Sequence, residues 1–338
     1  MKKPDTPADE QYRLRELRAL NLLHTPAEER FDRLTRLAKR LFNVPNSVVA
    51  LLEDNYLWLK SSASYDPKPI ERENTFCAHA ILRDDVLVVE DARRDDRFHD
   101  NPVVTEIPHI RFYAGCPLRT PGGARVGTLC LFDSKPRRFS EDDNHTLRDL
   151  ASMAEAELIA FQAATSDELT QITNRRGFIT LGQMMLNQCQ LRGIHASLTF
   201  LDLDKFKTIN DTLGHREGDR ALMDFADAMK VIFSHADLFA RLGGDEFVVL
   251  FHDTPQDKAE ALLETFTRYL HQQAENLNRR YQLNFSHGVV GFDPQHPLTL
   301  EQLLEQSDNK MYRHKQHRHN SRSGNDNPPD DQTIKGLQ

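Results

Sequence analysis

The chain has 338 residues, enough for about two domains at roughly 150 residues each, with room for real cores. Lys and Arg number 43 against 51 Asp and Glu, a formal charge of −8 that excludes a nucleic-acid binder working by bulk positive charge. Apolar residues are 39% and charged residues 28%, a globular mixture, and no apolar stretch approaches the ~20 residues that cross a bilayer, so no membrane insertion is expected.

Residues 1–19 read as an N-terminal extension. Its opening, Met1-Lys2-Lys3-Pro4-Asp5, lacks the apolar core of a signal peptide, and residues 1–10, rich in Pro and Asp, are expected to fray. Helical periodicity follows at Tyr12, Leu14, Leu17, Leu20 and Leu23, then at Phe31, Leu34, Leu37, Leu41 and Phe42. From Ser47 the pattern turns strand-like: Ser47 to Glu53, Tyr56 to Ser61 and Val86 to Glu90 are short and rich in β-branched or aromatic residues. Arg111 to Arg119 and Arg125 to Asp133 flank Thr120-Pro121-Gly122-Gly123-Ala124, whose Pro and Gly supply turn dihedrals, so the pair reads as a hairpin. Residues 20–145 are therefore expected to form an α+β domain, an antiparallel sheet flanked by helices. The four cysteines, Cys77, Cys116, Cys130 and Cys189, are scattered through the sequence. That usage fits a reducing cytoplasm and excludes a disulfide scaffold and a zinc ribbon.

Ser140-Glu141-Asp142-Asp143 opens a long helix, with Ser140 capping and the acids favouring the N-terminal dipole. Within the expected linker, 146–166, Leu147, Ala151, Ala154, Leu158, Phe161 and Thr165 recur at alternating three- and four-residue steps. Two readings stay open for that seam: a parallel coiled coil between two chains, or an amphipathic helix packing on its own domain. A second domain of alternating helices and strands spans 167–320, and the polar segment 321–338, with Pro328-Pro329, reads as a disordered tail.

Chemistry concentrates in this second domain. The strand Ala196 to Leu203 ends in two carboxylates, Asp202 and Asp204, which period-two alternation places on one face. Leu238 to Leu242, Gly243-Gly244 and Asp245 to Leu250 form a second strand–turn–strand unit with Asp245 and Glu246 at its tip. Pairing of that hairpin beside the first strand brings Asp202 and Asp245 together. Two carboxylates with a carbonyl or water suit Mg²⁺ and a nucleotide's phosphates, although acids near turns also read as solvated loop residues.

Arg241-Leu242-Gly243-Gly244-Asp245-Glu246-Phe247 resembles the signature of GGDEF-domain diguanylate cyclases. So does the stretch from Phe200 through Asp202, Asp204, Phe206, Lys207, Asn210, Gly214, His215 and Gly218 to Asp219. The domain entry, Asp167 to Arg176, matches too, with Ile172 where the family has Leu. The resemblance implies a central, mainly antiparallel sheet surrounded by helices, of nucleotide-cyclase or palm type. It also implies condensation of two GTP into cyclic di-GMP with release of pyrophosphate. Carried over position by position, Asp202, the Leu203 carbonyl and Asp245 hold Mg²⁺, with Mn²⁺ as an alternative ion. Asn210 and Asp219 read guanine, His215 lies near the nucleoside, and Phe206 and Lys315 belong to the substrate set. A carboxylate can accept from guanine N1 and N2 together, which adenine cannot match, so Asp219 disfavours a mixed purine cyclase. Asp245 is the general-base candidate, Glu246 could assist, and Lys207 is placed to offset charge on the α-phosphate. One half-site holds one GTP, so ring closure implies a homodimer with two domains face to face.

Two stretches depart from the family pattern. Lys315 keeps the closing lysine, but His319 stands where arginine is expected and Arg318 replaces a glycine, weakening the grip on phosphate. His314, His317 and His319 read as a basic helix end or, alternatively, as metal-binding. The product-inhibition site, Arg-x-x-Asp in the family, is Ser234-His235-Ala236-Asp237 here, so little product inhibition is expected through it.

In the first half, Asn21 to Thr35, Thr75 to Ala80, Arg111 to Gly115 and Gly127 to Cys130 resemble a GAF sensory domain over about 20–160. Cys77 and His79 invite a chromophore or haem reading beside the plainer one of a buried cysteine and a structural histidine. These residues do not name the GAF ligand. The whole resembles a cytoplasmic, dimeric, Mg²⁺-dependent diguanylate cyclase governed by a GAF domain, with its downstream cyclic di-GMP receptors unspecified. The alternative is a catalytically weak GGDEF module that senses GTP or acts as a scaffold.

Overall fold

The computed structural model describes residues 1–20, 22–23, 25, 27–63, 70–233 and 237–323, with the backbone alone at 314 and 317–323. The chain divides into two compact units, one ending at Ser166 and the next beginning at Asp167.

Unit one runs α1 (Glu10–Ala19), α2 (Glu29–Leu41), β1 (Asn46–Leu52), β2 (Tyr56–Ser62), β3 (Ile70–Glu71), α3 (Phe76–Ala80), β4 (Leu87–Val89), α4 (Pro102–Thr105), β5 (Phe112–Arg119), β6 (Arg125–Asp133) and α5 (Glu141–Thr165). Its six strands lie in the order β3-β2-β1-β6-β5-β4, every described pairing antiparallel. Val48, Ala50 and Leu52 join Phe76, Phe98, Tyr113 and Phe132 in one core, while the alternate residues Val49 and Leu51 are buried on the opposite face. Burial on both faces explains why this strand is continuously apolar.

Two expectations need correction. Residues 1–10 are tied down: the Met1 amine pairs with Asp100, and Lys3 Nζ donates to Glu73 at 2.6 Å. Beyond them, Arg13 is 1% exposed and donates to the Leu52 carbonyl at 2.7 Å and to Glu10 at 2.8 Å, so α1 is part of the body of the unit. The second correction concerns α5. Ser140 caps it in a reciprocal box with Asp143, as expected. However, Leu147, Ala151, Ala154, Leu158, Phe161 and Thr165 are all buried within the single chain, where α5 packs on α2, β5 and β6. The seam is the unit's own packing and is not available to a second chain.

Unit two runs β7 (Thr173–Asn174), α6 (Arg175–Arg192), β8 (Ala196–Leu203), α7 (Phe206–Leu213), α8 (His215–Ile232), β9 (Leu238–Gly243), β10 (Glu246–His252), α9 (Gln256–Asn276), β11 (Phe285–Phe292) and α10 (Leu300–Ser323). The sheet order is β11-β8-β10-β9-β7, antiparallel except where β7 runs beside β9. All eight residues of β8 are buried, because β8 is central and helices cover both faces. Phe225, Phe247, Phe251, Phe266 and Phe285 form an aromatic core with Leu201 and Leu203. Lys310 Nζ donates to the Val289 carbonyl at 2.8 Å, docking α10 on β11. Helix α10 continues to Ser323, so residues 321–323 of the expected tail are helical, and 324–338 lie outside the described residues.

Candidate active site

The β9–β10 turn is built by Gly243 at φ 149° and Gly244 at φ 53°, conformations that side chains resist. Arg241 clasps this turn, its Nε and Nη2 donating to the Gly244 carbonyl at 3.0 and 2.9 Å, while Nη1 pairs with Asp167 at 3.2 Å. Arg175 Nε donates to the Leu242 carbonyl at 3.3 Å. Sequence reasoning gave Arg241 and Asp167 no role beyond the motifs that contain them.

Register then places the carboxylates. Glu246 is the cross-strand partner of Asp202, and the Leu203 amide donates to the Asp245 carbonyl at 3.1 Å, holding the turn over the end of β8. Asp204, just past β8, accepts from Ser286 Oγ at 2.7 Å. Lys315 Nζ reaches from α10 to Asp202 Oδ1 at 2.6 Å. Burial, with the charges of Asp245 and Asp204 adding to it, pushes the Asp202 carboxyl up in spite of Lys315. For Lys315 the balance is reversed: burial works against its charge, but the Asp202 hydrogen bond and the surrounding carboxylates hold its pKa above the ordinary lysine value. Glu246 is raised by burial and, next to that, by Asp202 and Asp245, against the pull of Arg175. Such crowded, partly desolvated carboxylates are stabilised by a cation. Among the described residues no group of three His, Cys, Asp or Glu side chains is placed to hold a metal ion. The carboxylates of Asp202 and Glu246, paired across adjacent strands, fit an ion that takes one or two carboxylates and completes its shell with carbonyl, water and phosphate oxygens.

The remaining candidates fall on α7 and α8. Leu203 has its side chain buried in the core, leaving only its backbone to the site. Phe206, at the start of α7, is partly buried and packs against that core. Lys207 is exposed near the start of α7, and His215 and Asp219 are exposed on the first turns of α8. Asn210 is half-buried, and its amide lies directly over Gly218: a Cβ there would stand 2.0 Å from Asn210 Oδ1. Gly218 therefore positions Asn210, a role hidden in the motif because a glycine carries no chemistry of its own. The side chains of His314, His317, Arg318 and His319 lie outside the described residues, as do Ser234, His235 and Ala236. Asp237 accepts from the His252 amide at 3.0 Å.

Residues 164–321 match the GGDEF domain of diguanylate cyclases and residues 26–158 match the GAF domain. The chain is a GAF–GGDEF protein. A cyclic di-GMP phosphodiesterase of Pseudomonas aeruginosa is 30% identical over 266 residues, 78% of this chain and 45% of that protein. The diguanylate cyclase DgcP of Escherichia coli is 28% identical over 229 residues, 62% of this chain and 65% of that one. The solved coiled coil and GGDEF domain of DgcB from Caulobacter crescentus, in complex with c-di-GMP, gives a TM-score of 0.47 at 23% identity, over 51% of this chain and 92% of that one. The GAF–GGDEF chain spans about half to two thirds of the length of these two curated relatives.

Proposed function

We propose that the GGDEF domain is a diguanylate cyclase half-site, and that two copies of the chain bring two GTP molecules together to form cyclic di-GMP and two pyrophosphates. The observation that carries this reading is the pairing of Asp202 with Glu246 across adjacent strands, with the Asp245 backbone held over the end of β8 by the Leu203 amide and Lys315 bonded to Asp202. A divalent ion held by Asp202, Asp245 and the Leu203 carbonyl would offset phosphate charge and acidify the attacking 3′-hydroxyl. Lys315 then moves from Asp202 to a phosphate oxygen, since a cation that loses one anion finds another within reach. Asp245 at the turn is the candidate to take the proton of the attacking hydroxyl, and Glu246, the cross-strand partner of Asp202, stands beside it to assist. Asn210, braced by Gly218, and Asp219 select guanine through its donors at N1 and N2. Helix α5 leads directly into unit two, so a signal from the GAF domain reaches the half-site through that helix.

The names of relatives add support, since DgcP is a diguanylate cyclase. They also favour a second reading, because another relative, at 30% identity, is a cyclic di-GMP phosphodiesterase. On that reading this domain binds GTP without turning it over. Purified chain incubated with GTP and Mg²⁺, with products separated by chromatography beside Asp245→Ala, distinguishes the two. Cyclic di-GMP that disappears in the variant supports the cyclase. Bound GTP with no product at any chain concentration supports the GTP-sensing module.

A further inference from the structure

Cys77 and Cys130 are 53 residues apart in sequence, yet their sulfurs lie 3.9 Å apart in the GAF core. Cys77 comes from α3 and Cys130 from β6, and Tyr113 on β5 donates its hydroxyl to Cys77 Sγ at 3.4 Å. Two cysteines used only as small apolar fillers need no such partner. A buried Tyr hydroxyl directed at sulfur, with its ring stacked on Phe76, marks a polar contact maintained inside an apolar cluster. Thr128 lies two residues before Cys130, on the same face of β6, and its buried hydroxyl makes no ordinary hydrogen bond among the described residues.

Both sulfurs also border a cleft. Val48, Leu57, Ile70, Val103 and Ile110 line it with Cys77 and Cys130, and its volume is about 60 Å³. That admits a few atoms the size of water, and the apolar walls favour a small uncharged molecule over an ion. The Cys130 hydrogen bond draws the Cys77 thiol down, against burial, and the Tyr113 hydroxyl adds to the effect, leaving it at about 7. By contrast, burial pushes Cys116 up to about 11 and also raises Cys189.

We propose that Cys77 and Cys130 form a peroxide-reactive dithiol in the GAF domain, which closes to an intramolecular disulfide. The Cys77 thiolate attacks one oxygen of hydrogen peroxide, the O–O bond breaks, and hydroxide leaves to give a sulfenic acid. Cys130 sulfur then attacks Cys77 sulfur; the S–O bond breaks, and the departing hydroxide takes the Cys130 proton and leaves as water. In sum, two thiols give up two electrons and two protons, and peroxide becomes two waters. Bond formation shortens the 3.9 Å separation to about 2 Å, so each sulfur moves in by about 1 Å.

The test uses the full chain. It is treated with hydrogen peroxide, quenched, unfolded in iodoacetamide and mapped by mass spectrometry, with Cys116 and Cys189 as buried internal controls. Cys77 and Cys130 are expected to escape alkylation together, at least about tenfold faster than the controls, as one linked peptide pair that a thiol reductant releases. Cys130→Ser, checked for an unchanged melting temperature, is expected to leave a Cys77 sulfenic acid that dimedone captures. Four cysteines alkylated equally at every dose, or Cys77 oxidised with no link to Cys130, would overturn the proposal. Because the wild-type mapping stands without the variant, a variant that misfolds does not rescue it.

Discussion

Gly218→Ala separates positioning from folding at the candidate site. The added Cβ would lie 2.0 Å from Asn210 Oδ1 and 2.9 Å from its Cγ, so the amide must retreat by more than an ångström. The obstructed atom is the free end of a side chain, which can swing away. Alanine at the same time gains about 1 kcal/mol of helix propensity over glycine inside α8. Those effects nearly cancel for stability, and a net change of 1 kcal/mol moves the melting temperature by about 2–4 °C in a domain of this size. Guanine recognition has no such compensation. An amide displaced from its partners costs about 1–3 kcal/mol, or about 5- to 150-fold in GTP affinity. Titration calorimetry with GTP and differential scanning fluorimetry read the two quantities on one sample. Asn210→Ala should weaken GTP equally, and the double variant should be no weaker than either single one. A Gly218→Ala chain that binds GTP like wild type, or that melts more than about 4 °C lower, would refute the reasoning.

Four further outcomes are expected. Lys315→Met leaves the buried Asp202 carboxylate without its cation, so Mg²⁺ should raise the melting temperature more in the variant than in wild type. An equal response would show that Lys315 and the ion do not share that oxygen. Glu10 gives a pH signature: burial pushes its carboxyl up, but hydrogen bonds from Arg13 and Arg72 outweigh that and hold it at about 2, against 4.5 ordinarily. Since the folded value is depressed, its stabilisation is complete above pH 4.5 and fades between 4.5 and about 2; the gap between wild type and Glu10→Gln in denaturant midpoints should close over that window. Leu17→Ala in α1, fully buried, should destabilise the GAF unit by about 2–5 kcal/mol; a change under 1 would mean that α1 is dispensable. Leu158→Ala in α5 should cost a similar amount and leave the mass measured by light scattering unchanged, whereas loss of a dimer would restore the two-chain seam.

Much was legible before any coordinates. The hairpins declared themselves through local chemistry: Gly243-Gly244 supplies the dihedrals of the β9–β10 turn, and Thr120 to Ala124 supplies those of β5–β6. Ser140 announced α5 because capping is a contact between near neighbours. The carboxylates were equally plain, since Asp202 closes an apolar strand and Asp245 sits at a turn, each odd in its own neighbourhood.

What the chain could not declare locally was the partner of each buried face. The stripe from Leu147 to Thr165 has the same spacing whether α2 with β5 and β6 covers it or a second helix does, and packing alone chose the former. The N-terminal ten residues look frayed by composition, yet Met1 pairs with Asp100, Lys3 with Glu73, and Glu10 with Arg13 and Arg72. Asn210 depends on a glycine one helix away, Lys315 meets Asp202 across 113 residues, and Cys77 meets Cys130 across 53. Sequence by itself determined which elements form and which chemical groups they carry, because propensity, capping and alternation act over a few residues. Tertiary structure alone decided which of those groups touch, because distance in space is set by strand register and helix packing and not by separation along the chain.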